Sequence, residues 1–343
     1  MATEEQVRQS LEAVLVPAVK RSIVGMNLVR EVTTFDKKVN VTLASTGLIP
    51  GAQDWIKTKT REAIEKLPEV NEVKVEYADA KAKDLNKIDK ILAVMSGKGG
   101  VGKSLVSSLV AIGLKRKGYE VGILDADITG PSIPKMFGLT VRPSGNESGI
   151  LPVPSKSGIE IMSINLLLPR EDEPVIWRGS LITSAIRQFW GEVLWEKLET
   201  LVIDLPPGTS DATLTVMQTI PLNGILLVTS PQDLAGMVVR KAAGMARMLN
   251  IPIIGLIENM SYVQCPDCGR HIEIFGPSRA EEMAEALGVP LLGSVPLDPE
   301  LARHCDRGEI ESYPAEVFVP IASAVSLLVP DVQCTPLAAQ RPV

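Results

Sequence analysis

The sequence predicts an α/β protein: a parallel sheet covered by helices on both faces, preceded by a small α+β domain. Three observations carry this. From about Lys90, six short apolar runs alternate with helix-like stretches. A glycine-rich loop sits directly between the first of these runs and the helix that follows. Residues 1–78 instead show an α-β-β-α-β pattern, in which apolar periodicity switches between helical and alternating spacing.

In the amino-terminal region, Val7, Leu11, Val14 and Leu15 repeat at helical spacing. A strand is expected near Leu28–Thr34, turned through Phe35-Asp36-Lys37 into a second strand where Val39, Val41 and Leu43 alternate with polar or small residues. Trp55-Ile56, Ala63-Ile64 and Leu67 mark a second helix, and Val73, Val75 and Tyr77 a third strand. Residues 79–89 read as a polar linker, 90–330 as the larger domain and 331–343 as an irregular tail. Within the larger domain the strand candidates are Ile91–Met95, Val121–Leu124, Leu201–Ile203, Ile225–Val228, Ile253–Ile257 and Leu291–Val295. Strands apolar on both faces and separated by helices imply a parallel sheet buried on both sides.

The chain has 343 residues, 45% hydrophobic and 22% charged, which excludes wholesale disorder, collagen and coiled coil. A net charge of −6 argues against a polyanion-coating role. Four Trp, four Tyr and five Phe leave few platforms for stacking bases, so no nucleic-acid partner is expected. Four cysteines are too few for a disulfide scaffold and fit a reducing, cytoplasmic setting. The opening MATEEQVRQS lacks the basic-then-apolar layout of a signal peptide. Between Asp211 and Asp233 lie 21 uncharged residues, about a membrane span in length, but Pro221, Asn223 and Gly224 interrupt them. A helix end followed by a buried strand accounts for that stretch, and no membrane partner is expected.

The loop Gly97-Lys98-Gly99-Gly100-Val101-Gly102-Lys103-Ser104 satisfies G-x-x-x-x-G-K-S/T in the strand–loop–helix setting that this pattern requires. Its glycines let several N–H groups converge on one phosphate group, and the helix amino terminus adds favourable potential for the anion. Lys103 is expected at the β- and γ-phosphates and the Ser104 hydroxyl on Mg²⁺. Asp204 ends the run Leu201–Ile203 and suits a water-mediated Mg²⁺ ligand. Gly208 offers an N–H toward the γ-phosphate. Asp125 and Asp127 close Val121–Leu124, where Asp125 is placed to support the metal shell. Asn259, at the carboxyl edge of another strand, offers a donor and an acceptor to the adenine edge, with helix capping as the alternative use. No guanine-reading N/T-K-x-D pattern is visible, so ATP is expected over GTP.

Cys265-Pro266-Asp267-Cys268 is a C-x-x-C knuckle, the spacing that lets two thiolates converge on one metal. Three completions stay open: His271 joining a zinc site, Cys305, His304 or Cys334 folding back, or two subunits each giving Cys265 and Cys268 to one cluster.

The loop with its extra Lys98 resembles the deviant P-loop of the MinD, ParA, nitrogenase iron protein and arsenite-pump ATPases. That resemblance implies a homodimer in which Lys98 serves the partner's nucleotide, and it makes Asp127 the switch aspartate that orients the attacking water. The order of Asp125-Ala126-Asp127-Ile128-Thr129-Gly130-Pro131-Ser132, Trp177-Arg178-Gly179, Asp204-Leu205-Pro206-Pro207-Gly208, Glu258-Asn259-Met260-Ser261 and the C-x-x-C resembles the Mrp/ApbC iron–sulfur cluster carriers over about residues 90–325. The first 78 residues look like an iron–sulfur-assembly domain, but one without cysteine. The resemblance implies an ATPase that carries a [4Fe–4S] cluster from an assembly scaffold to apo iron–sulfur clients. Its rivals are a MinD/ParA-like positioning ATPase, which would need a basic amphipathic tail or a basic face, and an ATPase with a structural zinc knuckle.

Overall fold

The computed structural model describes residues 2–17, 19–128, 130–168, 180–314, 316 and 318–331. It divides into two compact units. The first comprises Met1–Ile88 together with Arg142–Val153 and Gln188–Leu198. Its first helix, α1 (Glu4–Leu11), is started by a capping box in which Thr3 and Gln6 satisfy each other's backbone N–H groups. Strands β1 (Val29–Phe35) and β2 (Lys38–Ala44) form an antiparallel hairpin. The two turn residues, Asp36 and Lys37, both have positive φ (45° and 64°), the geometry that matches the twist of paired strands. Helix α2 (Pro50–Glu65) then carries the chain over to β3 (Glu72–Ala78), which pairs in parallel with β2. Val39, Val41 and Leu43 bury one face of the sheet together with Ile56 and Ile64 of α2, and Leu151 and Leu194 join the same core. The expected polar linker contains a helical turn, α3 (Ala82–Leu85), because Ala82 and Leu85 are fully buried anchors.

The second unit comprises Asp89–Val141, Pro154–Arg187 and Glu199–Val343. In chain order the remaining elements are β4 (Lys87–Ser96), α4 (Lys103–Arg116), β5 (Val121–Asp125), α5 (Ile133–Met136), β6 (Gly145–Asn146), β7 (Gly149–Ile150), β8 (Val153–Pro154), β9 (Glu160–Ser163), α6 (Ser180–Glu192), β10 (Lys197–Asp204), α7 (Asp211–Thr219), β11 (Gly224–Thr229), α8 (Asp233–Met248), β12 (Ile253–Asn259), β13 (Val263–Gln264), β14 (His271–Ile272), α9 (Ala280–Leu287), β15 (Leu291–Val295), α10 (Pro299–Asp306) and α11 (Phe318–Leu328). Eight strands form the main sheet in the order β15-β12-β11-β4-β10-β5-β9-β8. The pairs β15–β12, β12–β11, β11–β4, β10–β5 and β5–β9 are all parallel. Every expected strand of this domain is present, and the uncharged stretch after Asp211 is helix α7 followed by buried β11.

The structure adds β9 at the far side of β5. Its sequence, Glu-Ile-Met-Ser, carries polar residues at both ends, yet all four are buried. No helix among the described residues is long and apolar enough to cross a membrane. The sheet places the ends of β4, β5, β10 and β12 along one edge. The chain runs from β4 to β5 on one side and from β10 across β4 to β11 on the other, the reversal that opens a ligand crevice beyond the strand ends.

Candidate nucleotide and cysteine sites

Strand β4 is buried from Ile91 to Ser96 and delivers the glycine loop at its carboxyl end. The loop is fixed from several sides. Ser96 Oγ donates to the Lys98 carbonyl at 3.0 Å, and Gly208 N donates to the Ser96 carbonyl at 3.0 Å. The N–H of Gly208 is thus held by the strand end preceding the loop. Gly102 caps α4 in the left-handed region (φ 77°), and a Cβ there would lie 2.0 Å from Asn259 Nδ2. Only glycine fits both demands. Asn259 is buried at the end of β12, and its Nδ2 donates to the Val101 carbonyl at 2.9 Å. Its Oδ1 is buried without a hydrogen-bond partner. The carboxamide therefore braces the loop from behind with one end and keeps an acceptor unused at the other.

Lys103 and Ser104, the first two residues of α4, converge on Asp204 at the end of β10. Lys103 Nζ lies 2.7 Å from Asp204 Oδ1, with both side chains nearly excluded from solvent. Ser104 Oγ donates to Asp204 Oδ2 at 2.5 Å. Ser107, one helical turn further on and outside the glycine-loop pattern, donates to Asp204 Oδ1 at 2.6 Å. The signal was there in principle: position 107 follows 104 by three, so both lie on one helix face. A hydroxyl beside a carboxylate is a hard-oxygen donor pair suited to Mg²⁺. Ser104 and Asp204, with oxygens 2.5 Å apart, form such a pair.

Asp125 ends β5 directly opposite Asp204 in the sheet register. It is fully buried, accepting from Ser163 Oγ at 2.9 Å and from the Asp127 N–H at 3.2 Å. Burial, and then the neighbouring Asp204 carboxylate, push its pKa up to about 8 against the opposing pull of Lys103. Asp127 lies two residues beyond, 9% exposed, in the loop following β5. A cavity of about 250 Å³, largely apolar, opens between that loop (Ala126, Ile128) and the loop after β10 with the start of α7 (Pro206, Pro207, Asp211). Lys98 points elsewhere: its ammonium donates to Gln232 Oε1, immediately before α8.

The cysteine pair sits after β12, in a small hairpin formed by β13 and β14. Cys265 N donates to the Arg270 carbonyl and Gly269 N to the Cys265 carbonyl, each at 2.9 Å, with Gly269 at φ 71° closing the turn. Cys268 is exposed and Cys265 half-buried, both as free thiols. Hydrogen bonds from the backbone at Cys268, then at Asp267, and then from the Cys268 side chain pull the Cys265 thiol below its ordinary pKa. His271 stacks on Tyr262, with ring centroids 3.7 Å apart and planes within 14°. Among the described residues no group of three or more His, Cys, Asp and Glu side chains is placed to hold a metal, so none joins the two thiols there. Cys305 lies on α10, where burial and then the Asp306 charge push its thiol up to about 11. Cys334, and the Trp177-Arg178-Gly179 stretch, lie outside the described residues.

A lysine and a serine from a glycine-capped helix, meeting an aspartate at the end of a neighbouring parallel strand, define a P-loop nucleotide-binding protein. Within that class, the chain belongs to the NUBPL iron-transfer P-loop NTPase family, which matches residues 87–328, and residues 4–76 match the iron-sulfur cluster assembly protein family. It is 40% identical over 313 residues to the iron-sulfur cluster carrier protein of Aquifex aeolicus, covering 81% of this chain and 86% of that protein. It is 36% identical over 345 residues to the protein of the same description from Synechocystis sp., covering 95% and 98%. Among solved structures, a nucleotide-binding protein in complex with ADP from Archaeoglobus fulgidus matches with a TM-score of 0.62 and 43% identity, over 69% of this chain and 94% of that one. The cell division ATPase MinD of Pyrococcus furiosus, 21% identical with a TM-score of 0.50 over 70% of this chain and 99% of that one, shares the fold.

Proposed function

We propose that the protein is a cytoplasmic homodimer that binds and hydrolyses ATP and carries a [4Fe–4S] cluster, which it hands to apo-proteins after receiving it from an assembly scaffold. The observation that carries the nucleotide half is the meeting of Lys103, Ser104 and Ser107 on Asp204. In this reading Lys103 turns from Asp204 to the β- and γ-phosphates, and the 97–104 backbone cradles them. Ser104 and Asp204 hold Mg²⁺, which would neutralise charge developing on the phosphates. Lys98 reaches the partner's nucleotide. Asp127 orients the attacking water. Asn259 keeps its free Oδ1 for the adenine amino group.

The cargo half rests on the exposed hairpin with its two free thiols. A [4Fe–4S] cluster ordinarily takes four cysteine thiolates. Two copies, each giving Cys265 and Cys268, supply four. The shift of Cys265 toward its thiolate suits ligation, and an exposed seam favours handover. The relatives described as iron-sulfur cluster carriers support this choice of cargo. Anaerobic purification followed by absorption spectroscopy, iron, sulfide and zinc analysis and an ATP turnover assay tests both halves. A broad charge-transfer band near-stoichiometric in iron and sulfide, with measurable turnover, is the expected result. Stoichiometric zinc without sulfide would replace the cluster with a structural metal, and absent turnover would remove the ATPase.

A further inference from the structure

Lys98 is claimed by a residue outside the phosphate loop. Its ammonium donates to the side-chain oxygen of Gln232, which occupies the capping position of α8. Gln232 makes no capping hydrogen bond to the helix, so its amide is committed to the lysine rather than to the helix end. A second contact ties the same helix to the same point of the loop. Gly97, adjacent to Lys98, packs so tightly on α8 that a Cβ would lie 2.6 Å from the Val238 carbonyl carbon and from Val239 N. Helix α8 therefore fixes both the backbone entering Lys98 and the head of its side chain. Gln232 also lines a cavity of about 360 Å³ with Arg240, Glu258, Arg279 and Met283, so its amide has room to turn away from the lysine.

From this we propose that Gln232 is a positioning residue for Lys98. It holds the ammonium on its own subunit, and the lysine serves the partner's nucleotide only after leaving that contact. The inference rests on the reading of the protein as an ATPase whose Lys98 acts across a dimer. A lysine held at home must break a hydrogen bond before it can cross, so the contact opposes assembly of the two-subunit site and sets how readily ATP closes the dimer. A neutral amide makes this a single charge-assisted hydrogen bond, whereas a carboxylate at the same place would add a salt bridge and hold the lysine harder. The population able to engage falls in proportion to the fraction of lysine held back.

The test is a double-mutant cycle on the full-length protein with Gln232→Ala, Gln232→Glu and Lys98→Ala, reading ATP turnover against protein concentration, KM and kcat separately, and dimer mass with ATP. Gln232→Ala should form the ATP-dependent dimer at several-fold lower protein concentration, and Gln232→Glu should require several-fold more, with KM for ATP little changed. Both effects should vanish in the Lys98→Ala background, which a purely structural role for Gln232 would not produce. Equal effects in both backgrounds, no opposition between Ala and Glu, or reduced dimer formation in Gln232→Ala would overturn the proposal. Wild-type protein without ATP turnover, or turnover indifferent to Lys98→Ala, would mark failure of the underlying reading instead. Circular dichroism melts of each variant confirm that the fold is retained.

Discussion

Ser107 Oγ and Asp204 Oδ1 lie 2.6 Å apart, so the strand-end carboxylate is held by two serines of one helix, with Ser104 on its other oxygen. Lys103 completes the set. This buried arrangement is high-stakes: removing one partner of a buried ion pair costs about 3–5 kcal/mol, because the other charge is left uncompensated.

The first prediction separates binding from stability at this point. Lys103→Ala should abolish tight ATP binding and turnover, since the phosphates lose their fixed counter-charge. Ser107→Ala removes one hydrogen bond to the Asp204 carboxylate while leaving Lys103 and Ser104 in place, and should cost about 1.5–3 kcal/mol of stability while retaining ATP binding. Calorimetric ATP titration and chemical denaturation of both variants check this. Wild-type turnover in Lys103→Ala would remove the loop as the catalytic centre.

The second prediction concerns pH. The folded pKa of Asp125 is raised to about 8, above the value near 3.8 of an exposed aspartate. The unfolded chain releases this proton at lower pH than the folded one. Asp125 therefore leaves stability intact below about pH 4 and erodes it as pH rises toward about 8. Asp125→Asn keeps the shape and cannot ionise, so the nucleotide-free variant should lose that part of the decline. Denaturation midpoints from pH 4.5 to 8.5 for both proteins are the measurement, and parallel curves would count against a protonated Asp125.

Why some of this was legible in sequence and some was not follows from chain distance. The glycine loop is contiguous, and each part of its pattern has a local reason, so its position between β4 and α4 could be read directly. The hairpin at Asp36-Lys37 and the buried run Ile91–Met95 were legible for the same reason. Ser107 stands outside the loop's pattern, and only its place one helical turn after Ser104, on the same face, points it to the same carboxylate. Strand β9 was hidden because Glu160 and Ser163 make it look half-polar, and only the approach of Ser163 to Asp125 shows how its hydroxyl is satisfied. The association of Arg142–Val153 and Gln188–Leu198 with the first unit depends on packing by Leu151 and Leu194, which no local pattern encodes.

The third prediction tests whether Lys98 works across subunits. Lys98→Ala should depress turnover more than ATP binding. Mixed with Lys103→Ala protein, it should recover one competent site per heterodimer, because one subunit retains Lys103 and the other retains Lys98. Turnover of the mixture, with subunit exchange verified by native mass spectrometry, is the readout. No recovery despite exchange would place Lys98 in its own subunit's chemistry.

The fourth prediction uses the contrast between cysteines. Cys265 is pulled toward its thiolate by hydrogen bonds within the knuckle, while Cys305 is pushed up to about 11 by burial and the Asp306 charge. Since the thiolate is the nucleophile and the ligand, Cys265 should alkylate with iodoacetamide at pH 7.5 faster than Cys305 in the apo-protein, and cluster should protect it. Peptide mass mapping over time gives both rates. The same contrast governs ligation. One chain presents Cys265 and Cys268 in the exposed hairpin, His271 is stacked on Tyr262, and Cys305 lies on a separate helix. In the shared-cluster reading proposed above, the four thiolates come from two chains, so reconstitution should give about four irons per dimer. Cys265→Ala and Cys268→Ala should lose the cluster, while Cys305→Ala and Cys334→Ala retain it. Iron and sulfide per subunit, determined with dimer mass for all four variants, decide the matter. Four irons per monomer, or cluster loss confined to Cys305→Ala, would replace the shared seam with a site inside one subunit.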